Sequence, residues 1–304
     1  MQPEELKAIL GISLKAAKDI IGSAKDLSKD SIQLLTGEEL YQERKRTIKR
    51  IPTGSTSLDS ILGGGVPTNA ITGLFGKFAS SKSQLCYQLM VNCKKYLKRK
   101  IAFIETEPST LDLERILSLA KYHGVDLSLK DILVVPAKFI DTPTHLFKAY
   151  QFIHQKILNG EDIGLLVVDS FNAPFRTVFT GREMLPARSA EAGRHIGFLQ
   201  MLARKYNMAI VITLQIMGVP DTTGQYGAIR DYGITHLPVG PHIVKHGVNY
   251  WIALERVSSK SDEGKGSKAQ LFRAILIDGP MPRDEAQFML DEIGIRDPRK
   301  SRGV

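Results

Sequence analysis

Residues 71–84, I-T-G-L-F-G-K-F-A-S-S-K-S-Q, constrain the fold more than any other part of this chain. An apolar run of strand type leads into a loop of small residues, which a lysine and a serine close. The spacing follows G-x-x-x-x-G-K-[ST], in which backbone N–H groups of a tight turn cradle phosphates. In that pattern the lysine reaches the β- and γ-phosphates and the hydroxyl ligates Mg²⁺. Gly76, Lys82 and Ser83 fit it, whereas Ser81 stands where a glycine is expected. Glycine suits that position because the backbone approaches phosphate in a conformation that can require positive φ, which costs a residue with a Cβ roughly 1–2 kcal/mol. A serine can bear that cost, with weaker or slower nucleotide chemistry. Taken alone, the loop reads either as nucleotide-binding or as a surface turn rich in small residues, and its surroundings decide.

At 304 residues, 43% hydrophobic and 24% charged, the chain can build one large core, with or without a small appendage. A formal charge of +9 favours an anionic partner, nucleic acid or an acidic membrane surface. No run of apolar residues is long enough to span a bilayer, and M-Q-P-E-E-L-K is neither a cleavable signal nor a basic presequence, so a cytoplasmic protein is expected. Cys86 and Cys93 fall on roughly one face of a helix. Two thiols make neither a disulfide scaffold nor a tetrahedral metal site, so they read as buried core residues.

In chain order, residues 1–35 read as short helices, with 3–10 and 14–24 separated by the turn Gly11-Ile12-Ser13. Such a hairpin either offers backbone N–H groups to a DNA phosphate or is a small packing appendage. Residues 36–50 read as a charged linker, helical at first. Its basic run, Arg44, Lys45, Arg46, Lys49 and Arg50, is either a nucleic-acid contact or a solvated face. The main domain begins at residue 51, with a short helix carrying Leu58, Ile61 and Leu62 and then three glycines.

Beyond the loop, a helix over 84–96 ends in the basic run K-K-Y-L-K-R-K, which suits its C-terminal dipole. A strand over 101–104 completes a right-handed βαβ unit that sets the loop at the carboxyl end of its first strand. Helix 111–123, strand 132–136, helix 144–158 and the wholly apolar strand 164–168 follow, the last running into Asp169-Ser170. An acidic residue leaving a buried strand beside a phosphate loop suits the Mg²⁺-side carboxylate of a nucleotide hydrolase, and otherwise a helix cap. A helix over 186–206 carries Arg188, Arg194 and Arg204. Strand 208–214 then delivers Gln215, which at such an edge can hydrogen-bond a γ-phosphate. Residues 216–240 form a long irregular stretch of the kind that is functional or disordered. Strands over 250–256 and 269–276 close the chain as a hairpin. The fold class is therefore α/β, a mostly parallel sheet flanked by helices with an antiparallel C-terminal edge.

Taken together these residues resemble the archaeal RadA group of RecA-like recombinases and their paralogues. The matching pieces, in order, are R-I-P-T-G-S-T-S-L-D-S-I-L-G-G-G (50–65), the loop with its Q-L-C-Y-Q-L continuation, I-E-T-E (104–107), L-L-V-V-D-S (165–170), F-R-T-V-F-T-G-R (175–182) and L-P-V-G-P-H-I-V-K-H (237–246). Residues 4–30 resemble the tail of the family's helix-hairpin-helix domain. The organisation expected is a truncated helix-hairpin-helix-like segment (1–35), a linker (36–50) and a RecA-like P-loop ATPase core (51–304).

The resemblance implies ATP and Mg²⁺ as cofactors and assigns roles by position. Gly76, Lys77, Phe78, Ala79, Ser80, Ser81, Lys82, Ser83 and Gln84 would surround the phosphates, with Ser83 and Asp169 on the metal side. Glu107 would activate the attacking water, unless it merely caps a helix, Arg115 would stack on adenine, and Gln215 would sense the γ-phosphate. Arg176, Arg182, Arg188 and Arg230 would face single-stranded DNA from two loops, with little base readout and strong salt dependence. His242, Asp278 and Pro280 would lie at a nucleotide edge between subunits. His242 and His246 are also spaced as a metal pair, which lacks a third ligand.

The departures matter equally. Ala79 and Ser81 replace glycines of the family loop, which implies slow ATP turnover. Counting back from R-I-P-T-G, the phenylalanine and alanine by which one family protomer docks into the next align with Leu35 and Glu38. A glutamate buried where alanine fits costs several kcal/mol unless paired. The expectation is a RadA paralogue that assists recombination and DNA repair, binding ATP and single-stranded DNA with weak DNA-stimulated hydrolysis. Its partner would be a RadA recombinase or another recombination protein, in a homo- or hetero-oligomer. The alternative is a catalytically silent adaptor that loads or stabilises a RadA filament; a RecA-like ATPase serving a helicase or signalling assembly is more distant.

Overall fold

A computed structural model describes residues 2–18, 34–218, 236–238, 242–257 and 269–298. The chain divides into two compact units, 1–47 and 48–304. In the first, α1 (Pro3–Leu10) ends at Gly11, whose left-handed conformation lets its N–H cap the Lys7 carbonyl. Helix α2 (Gly37–Thr47) has no buried residue, as its charged sequence dictates. Leu35 is partly exposed, and the exposed Glu38 accepts a bond from Gln42.

The second unit starts with β1 (Arg50–Ile51), α3 (Thr56–Ile61) and β2 (Val66–Pro67), then β3 (Ala70–Phe75) and α4 (Lys82–Asn92). Next come β4 (Lys100–Glu105), α5 (Leu113–Tyr122), β5 (Ile132–Val135), α6 (Pro143–Leu158) and β6 (Ile163–Asp169). After these follow α7 (Ala173–Val178), α8 (Leu185–Lys205), β7 (Ala209–Leu214), β8 (Ile216–Gly218), β9 (His236–Pro238) and α9 (His242–Gly247). Strands β10 (Tyr250–Arg256), β11 (Gln270–Asp278), β12 (Glu285–Asp291) and β13 (Gly294–Arg296) complete it.

A nine-stranded sheet in the order β13-β12-β11-β10-β3-β7-β6-β4-β5 is parallel from β10 to β5 and antiparallel beyond β10. Every residue of β6 is buried, because helices cover both faces of the parallel strands. Alternation divides its side chains: Leu165 and Val167 pack with α4 and α5, while Leu166 and Val168 pack with α6 and α8. Gly73 in β3 lets Trp251 lie against the strand, since a Cβ there would stand 2.7 Å from the indole.

The hairpin expected at the end is a four-strand meander. Strand β12 contributes Ala286 and Phe288 to the core at alternating positions, with Phe288 stacked on Phe272 at 5.5 Å. Asp297, just past β13, accepts bonds from the Ser55 hydroxyl and from the Thr56 and Ser57 amides, so the meander is tied back to α3. Helix α4 is also shorter than expected: after Asn92 it loosens into a π-helical turn, Cys93–Leu97, stopped by Lys98 at φ 60°. Cys86 and Cys93 are buried and free. Burial raises both thiols, Cys93 to about 12, so they act as small apolar groups.

Candidate active site

Parallel strands deliver their following residues to one edge of the sheet, and this edge collects the polar residues of the unit. The loop from Gly76 to Ser81 joins β3 to α4. Gly76 is obligatory there, because a Cβ would sit 2.2 Å from the Leu254 carbonyl oxygen. Ala79 at φ 58° and Ser81 at φ 71° both adopt the left-handed conformation that glycine occupies more cheaply. Ser81 is 7% exposed, and its hydroxyl is buried with no partner among the described residues.

Lys82 donates from Nζ to the Gly76 and Lys77 carbonyls at 2.9 Å each and contacts Ser80 Oγ at 3.2 Å. Burial lowers its pKa, against the opposing pull of Asp169, Cys86 and Glu107. Ser83 Oγ donates to Asp169 Oδ2 at 2.7 Å, and the Thr213 hydroxyl donates to Asp169 Oδ1. Burial raises the Asp169 pKa, against the opposing effect of those two bonds and of Lys82.

Glu107 leaves the end of β4, and its Oε1 accepts bonds from Ser170 Oγ at 2.7 Å and Gln215 Nε2 at 2.8 Å. It caps no helix; that position at α5 belongs to Asp112, which accepts from the Arg115 amide. Thr106 fixes the approach of β4 to β6 by exchanging bonds with the main chain of Ser170 at 2.7 Å. Lys82, Ser83, Glu107, Asp169 and Gln215 thereby line one cleft of about 680 Å³. Phe78, Ala79, Ser80, Ser81 and Gln84 share it, with Gln270 and Leu290 on the side of the meander.

The donors suit a small hard cation. A hydroxyl and a carboxylate 2.7 Å apart, at the mouth of a phosphate-type loop, match Mg²⁺ held by few protein oxygens together with phosphate. Among the described residues no group of three or more His, Cys, Asp or Glu could hold a metal without such help. That includes any site built on His246; the side chain of His242, at the start of α9, is not among those described.

Other expected residues lie elsewhere. Lys77 contributes its carbonyl to Lys82, and its exposed side chain borders an adjoining cavity with Glu255 and Arg256. Arg115 does not line the cleft. Its guanidinium reaches Gln84 Oε1 at 3.2 Å, the Asp291 carbonyl at 2.6 Å and the Glu292 carbonyl, which fastens the β12–β13 turn. Arg176 is exposed on α7, whereas Arg188 on α8 buries Nε and Nη2 without a partner among the described residues. Burial and, secondarily, Arg176 lower its pKa. Arg182 begins a 3₁₀ turn, and Arg230, with most of 216–240, lies outside the described residues. Asp278 ends β11 and Pro280 sits in the turn after it. Asp278 pairs with Trp251 at the start of β10, the sheet edge opposite the cleft.

Two partners of the carboxylates were not legible as such. Thr213 is a polar residue within an apolar strand, which is a usable signal, while nothing in the spacing of Ser170 marks it as a partner of Glu107.

A family model described as Rad51 matches residues 43–298. The chain is similar to the DNA repair and recombination protein RadA of Ignicoccus hospitalis, 34% identical over an alignment of 315 residues covering 97% of this chain and 86% of that protein. It is also similar to the protein of the same name from Metallosphaera sedula, 34% identical over 303 residues with the same coverage. The match spans the loop, the acidic strand end and the meander that frames the cleft, and the chain belongs to the Rad51 family of RecA-like recombinases.

Proposed function

We propose that this protein is a RadA-like paralogue that binds ATP and single-stranded DNA in homologous recombination and DNA repair, with weak DNA-stimulated, Mg²⁺-dependent ATP hydrolysis. The observation that carries this reading is the convergence of the Ser83–Asp169 pair and the Glu107–Gln215 pair in one cleft beside Lys82. Backbone N–H groups of the loop would bind the phosphates, and Lys82 would offset charge developing on them. Ser83 and Asp169 would hold Mg²⁺, which when bound polarises the phosphoryl oxygens. Glu107 would take the proton of an in-line water, oriented by its bond from Ser170. Gln215 would exchange its bond to Glu107 for one to the γ-phosphate. Arg176, Arg182, Arg188 and Arg230 would meet DNA phosphates, consistent with the +9 charge.

An accessory role is favoured over self-assembly into long filaments by Glu38, whose charge would be costly in a pocket suited to alanine. The left-handed Ser81 and Ala79 also favour a second reading, a silent adaptor that loads or stabilises a RadA filament. Steady-state ATP hydrolysis with and without single-stranded DNA, beside Lys82→Ala, separates the two. DNA-stimulated turnover that disappears in the variant supports the enzyme; equal and negligible turnover in both supports the adaptor.

A further inference from the structure

Asn172 lies between the cleft and α7 and has no role in the chemistry above. It is 2% exposed and occupies the N-cap position of α7, the helix that carries Arg176. Its Oδ1 accepts the main-chain N–H of Gln215 at 3.3 Å, and its Nδ2 is buried with no partner among the described residues. Beside it, the Phe171 N–H donates to the Thr213 carbonyl at 2.9 Å. The β6–α7 turn is thus stitched to the end of β7 at two successive residues, Phe171 and Asn172. Phe171 in turn stacks on Phe175 of α7, with ring centroids 5.2 Å apart.

A buried carboxamide with one end unpaired costs stability, and an apolar residue of the same size would avoid that cost. Its two ends differ here. One holds the main chain of the residue whose side chain contacts Glu107, and the other is a buried donor with no partner among the described residues. A donor left unpaired in one arrangement can gain a partner in another, which is what a switch element requires.

Resting on the nucleotide and DNA reading above, we propose that Asn172 is a positioning residue that couples Gln215 to α7. Movement of Gln215 toward a γ-phosphate changes the Asn172 bond, and the N-cap of α7 transmits that change to Arg176 and so to the grip on DNA.

The test measures the affinity of the full chain for a labelled oligo-dT by fluorescence anisotropy, with and without a non-hydrolysable ATP analogue and Mg²⁺. Analogue affinity and thermal midpoint are measured separately. In the wild type the analogue should raise DNA affinity about tenfold. Asn172→Leu, similar in shape and without the polar ends, should bind analogue normally yet retain less than about a twofold enhancement. Asn172→Asp, which keeps the acceptor for Gln215 but lacks the donor end, should not restore it. If the leucine variant does not fold, Asn172→Ala is read on the same scale. Full enhancement in the variant overturns the inference, as does parallel loss of analogue and DNA binding. A wild type that binds both ligands without enhancement overturns the coupling and leaves the nucleotide and DNA reading intact. A wild type that binds no analogue overturns both.

Discussion

Ser83 donates to Asp169 across 2.7 Å although the two stand 86 positions apart, one on the first turn of α4 and the other at the end of β6. The bond exists because β3 and β6 flank β7 in the parallel sheet and release their following residues at the same edge. If this pair holds Mg²⁺, Asp169→Asn keeps the shape and removes the charge. The Mg²⁺ concentration needed for half-maximal ATP binding should then rise about 10- to 100-fold. An unchanged Mg²⁺ titration would limit Asp169 to stitching α4 and β7 to β6.

Glu107→Gln retains an oxygen that can accept from Ser170 and Gln215 but no longer accepts a proton. Turnover should fall by about 10²- to 10⁴-fold while ATP affinity is kept. Single-turnover hydrolysis beside equilibrium binding measures the two separately; wild-type turnover would rule out Glu107 as the base.

Ser81→Gly tests the loop's departure from glycine. Relief of the left-handed serine is worth about 1 kcal/mol, and the freer unfolded glycine returns roughly half of that. The thermal midpoint should therefore move little, whereas ATP binding should tighten because the buried, unpartnered hydroxyl is gone from the cradle. Weaker ATP binding in the glycine variant would instead make the serine hydroxyl a useful donor.

His195 of α8, which does not line the cleft, supplies a pH dependence of its own. Its ring is fully buried among Phe147, Tyr150, Phe171 and Phe175, with Glu191 bonded to Nε2 and Arg194 nearby. Burial lowers its pKa to about 4, against the partial opposition of Glu191. The unfolded value is about 6.5, so between these pH values the unfolded chain holds more protons and stability falls as pH falls. The slope can reach about 1.4 kcal/mol per pH unit from this group. Denaturant unfolding at pH 7 and pH 5 should show a smaller loss for His195→Phe than for wild type. Equal losses would assign the acid sensitivity to other groups.

Local pattern made some of this legible. The apolar run ending at Asp169 and the strand ending at Gln215 could be read directly, because a strand buried on both faces leaves an unmistakable composition. The pairing of Asp169 with Thr213 could not, since sequence spacing says nothing of which strands become neighbours. Strands β12 and β13 escaped for a different reason. E-A-Q-F-M-L-D places only Ala286 and Phe288 inside, and the resemblance assigns Asp278 and Pro280 before it to a nucleotide edge between subunits, which hides the turn that leads to a further strand. For Arg115 the resemblance suggested a base contact, whereas the side chain fastens carbonyls of a turn that had not been anticipated.

The cleft opens where the parallel strands end, and Asp278 and Pro280 stand where they begin. On the reading that these residues cover a neighbour's nucleotide, each copy is a polar brick with an incomplete site at one pole and its lid at the other. Bricks of this kind join head to tail, and an open stack always leaves one terminal site without a lid. Short stacks therefore waste a larger share of their sites than long ones. Because Glu38 opposes long stacks of this chain alone, most of its sites stay uncovered on that reading, and turnover per chain should climb when a second recombination protein joins the stack.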